Sequence, residues 1–307
     1  MTSAPQTPRW TSDLPIDLAL ATSLIQQQFP DLAASGVRVL GEGWDNLAVC
    51  AGPAVFRFPR RRIAVPFLES ELATLPTIAP GLPLPIPVPR WIGRPAEVFP
   101  YPWAGYLHLS GTTLCRADTE DRRALAGDLG RFLAALHRLP VPPGLVTDTI
   151  GRLDSARRIP RTVSELTAMA ALGLPIDGIA EAKQLPTRAP TTTCVVHGDL
   201  YARHVLVHTD GTNAGHIAGI IDWGDVHHGD PGADLMAVFM LLPPACHDRF
   251  RDAYGPIDDA TWTLAWMRAV WHTVAVAPYA HRTSDAALMR AVRHAWTWIR
   301  QTMPSHA

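Results

Sequence analysis

Lysine is almost missing from this chain. Of its 27 basic residues only Lys183 is a lysine, so any cationic role elsewhere falls to arginine. Codon bias accounts for some of that skew. Long apolar runs are missing too. No stretch of 18 apolar residues occurs, which excludes an ordinary transmembrane helix. The opening MTSAPQTPRW has no basic start followed by an apolar core, so no secretory signal is expected. Cys50, Cys115, Cys194 and Cys246 lie far apart and form no CxxC. That argues against structural zinc or a disulfide framework and fits a reducing, cytoplasmic setting. A net charge of −1 gives no electrostatic case for nucleic acid.

What is present is an ordinary globular composition, 47% hydrophobic and 18% charged over 307 residues, enough for one large domain or two lobes. DLALATSLIQQQF (17–29) has a helical pattern introduced by Asp13 and Pro15. VRVLGEGWDNLAVCAGPAVFRFPR (37–60) carries three short β-like runs, Val37–Leu40, Leu47–Cys50 and Ala54–Phe58, separated by turn residues. That pattern predicts an antiparallel meander. Residues 65–80 place Phe67, Leu68, Leu72 and Leu75 at helical spacing, stopped by Pro76. Residues 81–91 are proline-dense and extended, and 98–111 predict a further strand or two. From about 117 the texture turns helical, with the clearest patterns at 118–139, 264–280 and 284–303, a further helix within 156–172, and a loop or short helix at 175–193. No internal repeat is visible.

The chemistry concentrates in two runs. VVHGDLYARHVLV (195–207) sets His197, Asp199, Arg203 and His204 between apolar residues, and GIIDWGD (219–225) ends in Asp222 and Asp225. Two hairpins with solvated tips would read this way. So would a site in which two carboxylates and a neutral ligand hold a hard divalent ion that also binds phosphate. Phosphoryl transfer needs an in-line nucleophile, a positioned base, and cations on the phosphates.

HGDLxxxxVLV followed by IIDWGD resembles the aminoglycoside phosphotransferase family, a branch of the protein-kinase-like fold, over about residues 37–300. The paired motif at this spacing is highly specific. The resemblance implies an α+β, two-lobed protein-kinase-like fold. Its β-rich N-terminal lobe (1–106, a five-stranded antiparallel sheet plus a helix) would bind nucleotide. A mainly helical C-terminal lobe (107–307) would carry the catalytic loop and acceptor site. Carried over by position, Asp199 corresponds to the family's catalytic base and Asp222 to its metal-binding aspartate. His197 would be a structural neighbour, and Asp230 and Asp234 would brace the loop and following helix. His204 departs from the pattern: most of the family has asparagine there as second metal ligand. Histidine at this position resembles the macrolide 2′-phosphotransferase branch. It is expected either to ligate Mg2+ or to bond a bound water, with a merely polar surface residue as the plain reading.

On the nucleotide side, GEGWDN (41–46) resembles the phosphate-covering loop, with Gly41, Gly43 and Asn46 as contacts. The family's phosphate-binding cation on the third strand would be Arg57, paired with Glu71 or Glu69, of which Glu71 better fits the helix register. Arg60, Arg61 and Arg62 would face solvent. Tyr106, Leu107 and His108 in the linker would meet adenine or guanine through main-chain groups, so ATP and GTP remain equal. Residues 235–307 hold five acids against seven arginines and many aromatics, including Trp262, Trp266, Trp271, Trp296 and Trp298. That balance suits a bulky hydroxylated acceptor with few positive charges, macrolide-like, over a polycationic aminoglycoside, unless the aromatics are simply core. A monomer binding neither nucleic acid nor membrane is expected. A nucleotide-binding pseudokinase and a metal-dependent hydrolase are the rival readings. The first is motivated by Arg57 and His204, the second by the many histidines and aspartates.

Overall fold

In the computed structural model, which describes residues 12–43, 45–117, 121–175 and 188–303, the β-rich stretch forms one five-stranded antiparallel sheet. Its strands are β1 (Val37–Glu42), β2 (Asn46–Ala51), β3 (Ala54–Pro59), β4 (Pro89–Gly93) and β5 (Trp103–Leu107), in spatial order β1-β2-β3-β5-β4. The Gly52–Pro53 turn sets the β2–β3 register, with Ala51 opposite Ala54 and Leu47 opposite Phe58. Gly52 sits there at φ +57°, a conformation that favours glycine. Leu47, Val49, Phe56 and Phe58 alternate onto one buried face, where Trp103 stacks on Phe58 at 4.7 Å between centroids. Helix α1 (Leu18–Gln28) adds Leu24 and Ile25 to that core. Its capping side chain is Asp17, accepting from the Leu20 N–H, whereas Asp13 accepts from the N–H of Arg62 instead. A single helical turn, α2 (Pro30–Ala33), leads into β1.

One expectation fails here for a clear reason. Helix α3 (Val65–Ile78) runs through Pro76 rather than stopping at it. Proline removes one N–H from the ladder, but its φ is compatible with helix, and continuing buries Leu75 and Ile78. The further strand expected within 98–111 is β5, and it starts no earlier because Phe99 turns back on Ala96 through two mutual backbone hydrogen bonds of 2.9 and 3.0 Å.

The chain divides into two compact units. One holds the described residues up to Ala79 together with Pro87–Leu109; the other holds Pro80–Ile86 and the chain from Ser110 onward. In the second unit β6 (Thr112–Thr113), β8 (Val205–Val207) and β9 (Ile217–Ile220) form a three-stranded antiparallel sheet, and β7 (Cys194–Val196) pairs with β10 (His227–Gly229). The rest is helical: α4 (Arg123–Arg138), α5 (Ser155–Ala171), α6 (Gly232–Leu241), α7 (His247–Tyr254), α8 (Asp259–Arg282) and α9 (Ala286–Gln301). Helix α6 is buried along its whole length, with α8 and α9 against it. Most of the stretch 175–193 lies outside the described residues. No described helix is long and apolar enough to cross a membrane.

A Cβ added at Gly93 would lie 2.0 Å from the Trp103 ring, while one at Gly41 would meet nothing within 4 Å. Gly93→Ala is therefore expected to lower stability by about 2 kcal/mol, the usual cost of overpacking a core. Gly41→Ala should stay within about 0.5 kcal/mol of the parent. Thermal melting of the two variants side by side checks both.

Candidate functional site

The loop after β7 is fixed by one carboxylate. Asp234, on α6 and fully buried, accepts the backbone N–H groups of His197 and Gly198 at 2.8 Å each. It also faces His137 Nε2 on α4 at 3.2 Å. Burial would raise its pKa, but the hydrogen bond and charge of His137 and the Gly198 N–H hold it below the usual aspartate range. Gly198 has φ +84°, and a Cβ there would lie 2.5 Å from the Asp225 carbonyl oxygen, so only glycine fits. Asp230 has a similar role just ahead of α6. It accepts from Gly232 at the start of that helix, from Thr191 and from Arg188.

His197 then ties this loop to the one after β9. Its buried ring donates from Nε2 to the Ile221 carbonyl (3.0 Å) and accepts at Nδ1 from the Asp199 N–H (3.3 Å). Burial holds its pKa below that of free histidine, which keeps the ring in this neutral form. Asp222, next to Ile221, takes φ +65°, a left-handed conformation that aspartate tolerates better than most residues.

His204 completes the convergence. Its Nδ1 donates to the Asp199 backbone carbonyl at 2.8 Å, and its Nε2 lies 3.1 Å from Asp222 Oδ2. Nδ1 is also 3.7 Å from Asp199 Oδ2. Three sequence-predicted residues, Asp199, His204 and Asp222, are thus brought together within one unit. With Nδ1–H committed, Nε2 meets a carboxylate either as a proton donor or as a lone pair sharing a cation. Burial lowers the His204 pKa, but the charge and hydrogen bond of Asp222 outweigh it and the net shift is upward. The 3.1 Å spacing matches the roughly 3 Å between neighbouring ligands at about 2.1 Å from an octahedral ion. No group of three or more histidine, cysteine, aspartate or glutamate residues suited to a metal occurs among the described residues. Two protein ligands, with phosphate and water completing the shell, are what Mg2+ commonly takes. The donor set fits.

Around Asp199 lie several residues that the sequence did not single out. His272 on α8 places Nδ1 3.5 Å from Asp199 Oδ1. Arg268, one turn earlier on α8, is 6% exposed and its charge acts on Asp199. Arg152 pairs with Asp148 and Asp225. Burial pushes the Asp199 carboxyl up to about 6, against the opposing pull of His204 and Arg268. Only the i, i+4 spacing of Arg268 and His272 on a helical run could have signalled that they share a face.

In the first unit Arg57 on β3 and Glu71 on α3 are paired, Nη1 lying 3.1 and 3.0 Å from the two carboxylate oxygens. Glu71 is 1% exposed at its side chain. Gly41 and Gly43 have ordinary φ, and a Cβ would meet nothing within 4 Å at Gly41 and only the Asn46 carbonyl oxygen, at 3.7 Å, at Gly43, so the chain's own packing does not demand glycine at either. The carbonyl of Asn46, at the head of β2, accepts the Gly43 N–H at 2.9 Å. Arg60 and Arg61 are not simply solvated. Arg60 reaches Glu42 and the Gly43 carbonyl, and Arg61 reaches Asp45, so both brace the loop they follow by about fifteen residues. Tyr106 is buried in β5, Leu107 is exposed, and the His108 N–H is donated to the Pro53 carbonyl. A ligand at the His108 backbone would have only the carbonyl to use.

The tryptophans are mostly core. Trp266 and Trp296 are buried and donate their indole N–H to Ile299 and Pro175 carbonyls, and Trp271 is 4% exposed. Packing explains these three without a ligand, so they carry no argument about the acceptor.

Comparison with known proteins agrees with this geometry. A family model for a phosphotransferase enzyme family matches residues 36–270. Among solved structures, a GDP and kanamycin complex of an APH(2″) enzyme superposes with TM-score 0.65 at 22% identity, covering 92% of this chain and 98% of that one. A GDP complex of an aminoglycoside 2′-phosphotransferase gives 0.66 at 20% identity, covering 93% and 99%. The macrolide 2′-phosphotransferase MphH from Brachybacterium faecium gives 0.60 at 22% identity, covering 94% and 100%. The fold is thus that of the kinase-like phosphotransferases, and with a family match over well more than half its length the chain belongs to the phosphotransferase enzyme family.

Proposed function

We propose that this protein transfers the γ-phosphate of ATP or GTP to a hydroxyl of an antibiotic-like small molecule, with Asp199 as base and with His204 and Asp222 as ligands to Mg2+. The observation that carries this reading is the convergence of the three side chains, with His204 spanning Asp199 and Asp222 through its two nitrogens. In the first unit Arg57, held by Glu71, takes the nucleotide phosphates, assisted by backbone N–H groups of the Gly41–Asn46 loop. The open space beside Gly41 supports that role, because a close-lying phosphate is what would make glycine necessary. Main-chain groups at Tyr106, Leu107 and His108 take the base. The protein would work as a cytoplasmic monomer.

Asp199 accepts the proton of the acceptor hydroxyl as its oxygen bonds to the γ-phosphorus. The bond from that phosphorus to the bridging oxygen breaks, and the nucleoside diphosphate leaves. A carboxyl with pKa about 6 is ionised at neutral pH yet basic enough to serve. His204 and Asp222 would hold the metal, which when bound would neutralise charge on the transferred phosphate. His204 in place of asparagine supports a macrolide-like acceptor, as does the non-acidic stretch 235–307. The direct test is incubation with ATP or GTP and a panel of macrolides, aminoglycosides and other hydroxylated antibiotics. A mass gain of one phosphate on a member of the panel is the expected result; nucleotide binding without any transfer would favour the pseudokinase.

Asp199→Asn is expected to reduce transfer at least ~1,000-fold, the loss of a positioned base, with nucleotide binding within about twofold of the parent. It should also melt higher in metal-free buffer. Because the folded pKa lies above the unfolded one, the ionised carboxylate opposes folding above about pH 6. The gain of Asn should be on the order of 2 kcal/mol at pH 8 and vanish towards pH 4. Loss of transfer together with lower stability at pH 8 would mark a structural residue instead.

His204→Asn should keep transfer within about tenfold of the parent, since Mg2+ prefers an amide oxygen to an imidazole nitrogen. Asp222→Asn should lose it at least ~100-fold. Transfer rates across a Mg2+ titration of both variants check the assignment.

A further inference from the structure

Arg268 is the most unusual group in the second unit. It is 6% exposed, and its Nε has no hydrogen-bond partner. Among the described residues its guanidinium makes no ion pair. Burial drags its pKa down to about 10, offset to some extent by the Asp199 charge. A buried guanidinium without a partner costs several kcal/mol, and folded chains rarely keep one. His272, four residues on and on the same face of α8, is 7% exposed. Its Nδ1 faces Asp199 while its Nε2 is buried without a partner.

The surroundings do not neutralise this pair. Arg152 carries two carboxylates of its own, Asp148 and Asp225. Arg158 on α5, a helix packed against α8, donates to the Ile150 and Gly151 carbonyls and makes no ion pair among the described residues. Its charge and that of Arg152 both act on Arg268. Two carboxylates act on Arg268, Asp199 and Asp225. Asp225 is already held by Arg152, and the position of Asp199 as base requires it to face a hydroxyl. The result is an unpaired guanidinium next to the reacting position, with its Nε and the Nε2 of His272 unfilled.

We infer that Arg268 and His272 form an acceptor subsite that binds an oxyanion or oxygen-rich edge, such as a carboxylate or a cluster of carbonyl and ether oxygens, close to the hydroxyl that reacts. The inference rests on the phosphotransferase reading for the word acceptor, and names the chemistry that this side of the Asp199 site selects. An ammonium set against the Arg268 guanidinium is repelled. Arg268 here is a specificity-determining group, and His272 orients both it and the bound oxygen edge.

The test separates binding from turnover. Metal- and nucleotide-free protein is melted with sodium glucuronate, glucose or glucosamine hydrochloride, each up to ~50 mM at equal ionic strength, a range that registers even millimolar binding. Glucuronate carries the oxyanion on a hydroxylated ring. A parallel titration with sodium sulfate distinguishes a bare oxyanion from a carboxylate on an acceptor. Glucuronate is expected to raise the melting temperature of the parent and of Asp199→Asn, and glucosamine to leave it unchanged. Arg268→Met should melt as high as the parent or higher without additive, since it removes an unpaired buried charge, and should lose the glucuronate response. A shift from sulfate alone would mean an adventitious ion site and overturn the inference, as would an equal glucuronate shift in Arg268→Met or none in the parent. Should the antibiotic panel identify a phosphorylated acceptor, Arg268→Met should raise its KM at least tenfold and leave the nucleotide KM unchanged. A response in Asp199→Asn without transfer by the parent would leave the subsite standing and sink the phosphotransferase reading alone.

Discussion

A single buried carboxylate organises the second unit. Asp234 is taken fully out of water, and in that setting it would cost several kcal/mol if its bonds were incomplete. They are not: two backbone N–H groups at 2.8 Å and the His137 ring fill its lone pairs. Those two N–H groups belong to His197 and Gly198, so satisfying the carboxylate fixes the path of the loop that follows β7. The His197 ring is thereby aimed at Ile221, and the loop carrying Asp222 is fixed in turn. Asp199 and His204 inherit their positions from the same chain of bonds. The site is a consequence of backbone hydrogen bonding to a helix residue 37 positions downstream of His197.

How much of this was legible in the residues depended on distance along the chain. The antiparallel sheet could be read because its signals are local: turn residues between alternating apolar runs at 37–60. The paired motif singled out Asp199, His204 and Asp222, which the fold brings near one another, because its spacing is specific to a family. The Arg57–Glu71 pair followed from the same resemblance. What could not be read came from tertiary packing. Pro76 sits inside α3 because Ile78 gains more from burial than the ladder loses. Arg60 and Arg61 look solvated in the sequence because their partners, Glu42, Gly43 and Asp45, lie on another strand and its turn. Arg268 and His272 fall within a mostly apolar helix, and no local pattern says that their face meets residue 199.

The near absence of lysine has a structural counterpart at Arg57. An ammonium is a compact point charge, whereas a guanidinium is a planar fork with five N–H donors. Nη1 of Arg57 serves both carboxylate oxygens of Glu71, at 3.1 and 3.0 Å. That contact ties the guanidinium to α3 while its stem is directed by β3, so strand and helix together fix where the charge stands. The longer, flatter head also moves the centre of positive charge farther from the strand than an ammonium would. A phosphate-binding role at this position would therefore place the phosphate differently from a lysine-built site, with the open space beside Gly41 providing the room.

Asp199 and Arg268 together show what the fold tolerates for the sake of the site. Each is desolvated at a cost: the carboxyl is pushed up to about 6, the guanidinium down to about 10. They have opposite charges and each acts on the other, yet no ion pair joins them among the described residues. A direct pair would relieve both, and arginine has the reach and donors for it. The rigid α8 backbone, held against α6 and α9, keeps the charges near but apart. Desolvated charges that fail to neutralise each other are available to a third party, and the energy withheld from folding is recovered when a ligand bridges them. Of two groups so placed, one wants a proton and the other an oxygen lone pair. A hydroxyl next to an oxygen acceptor supplies both.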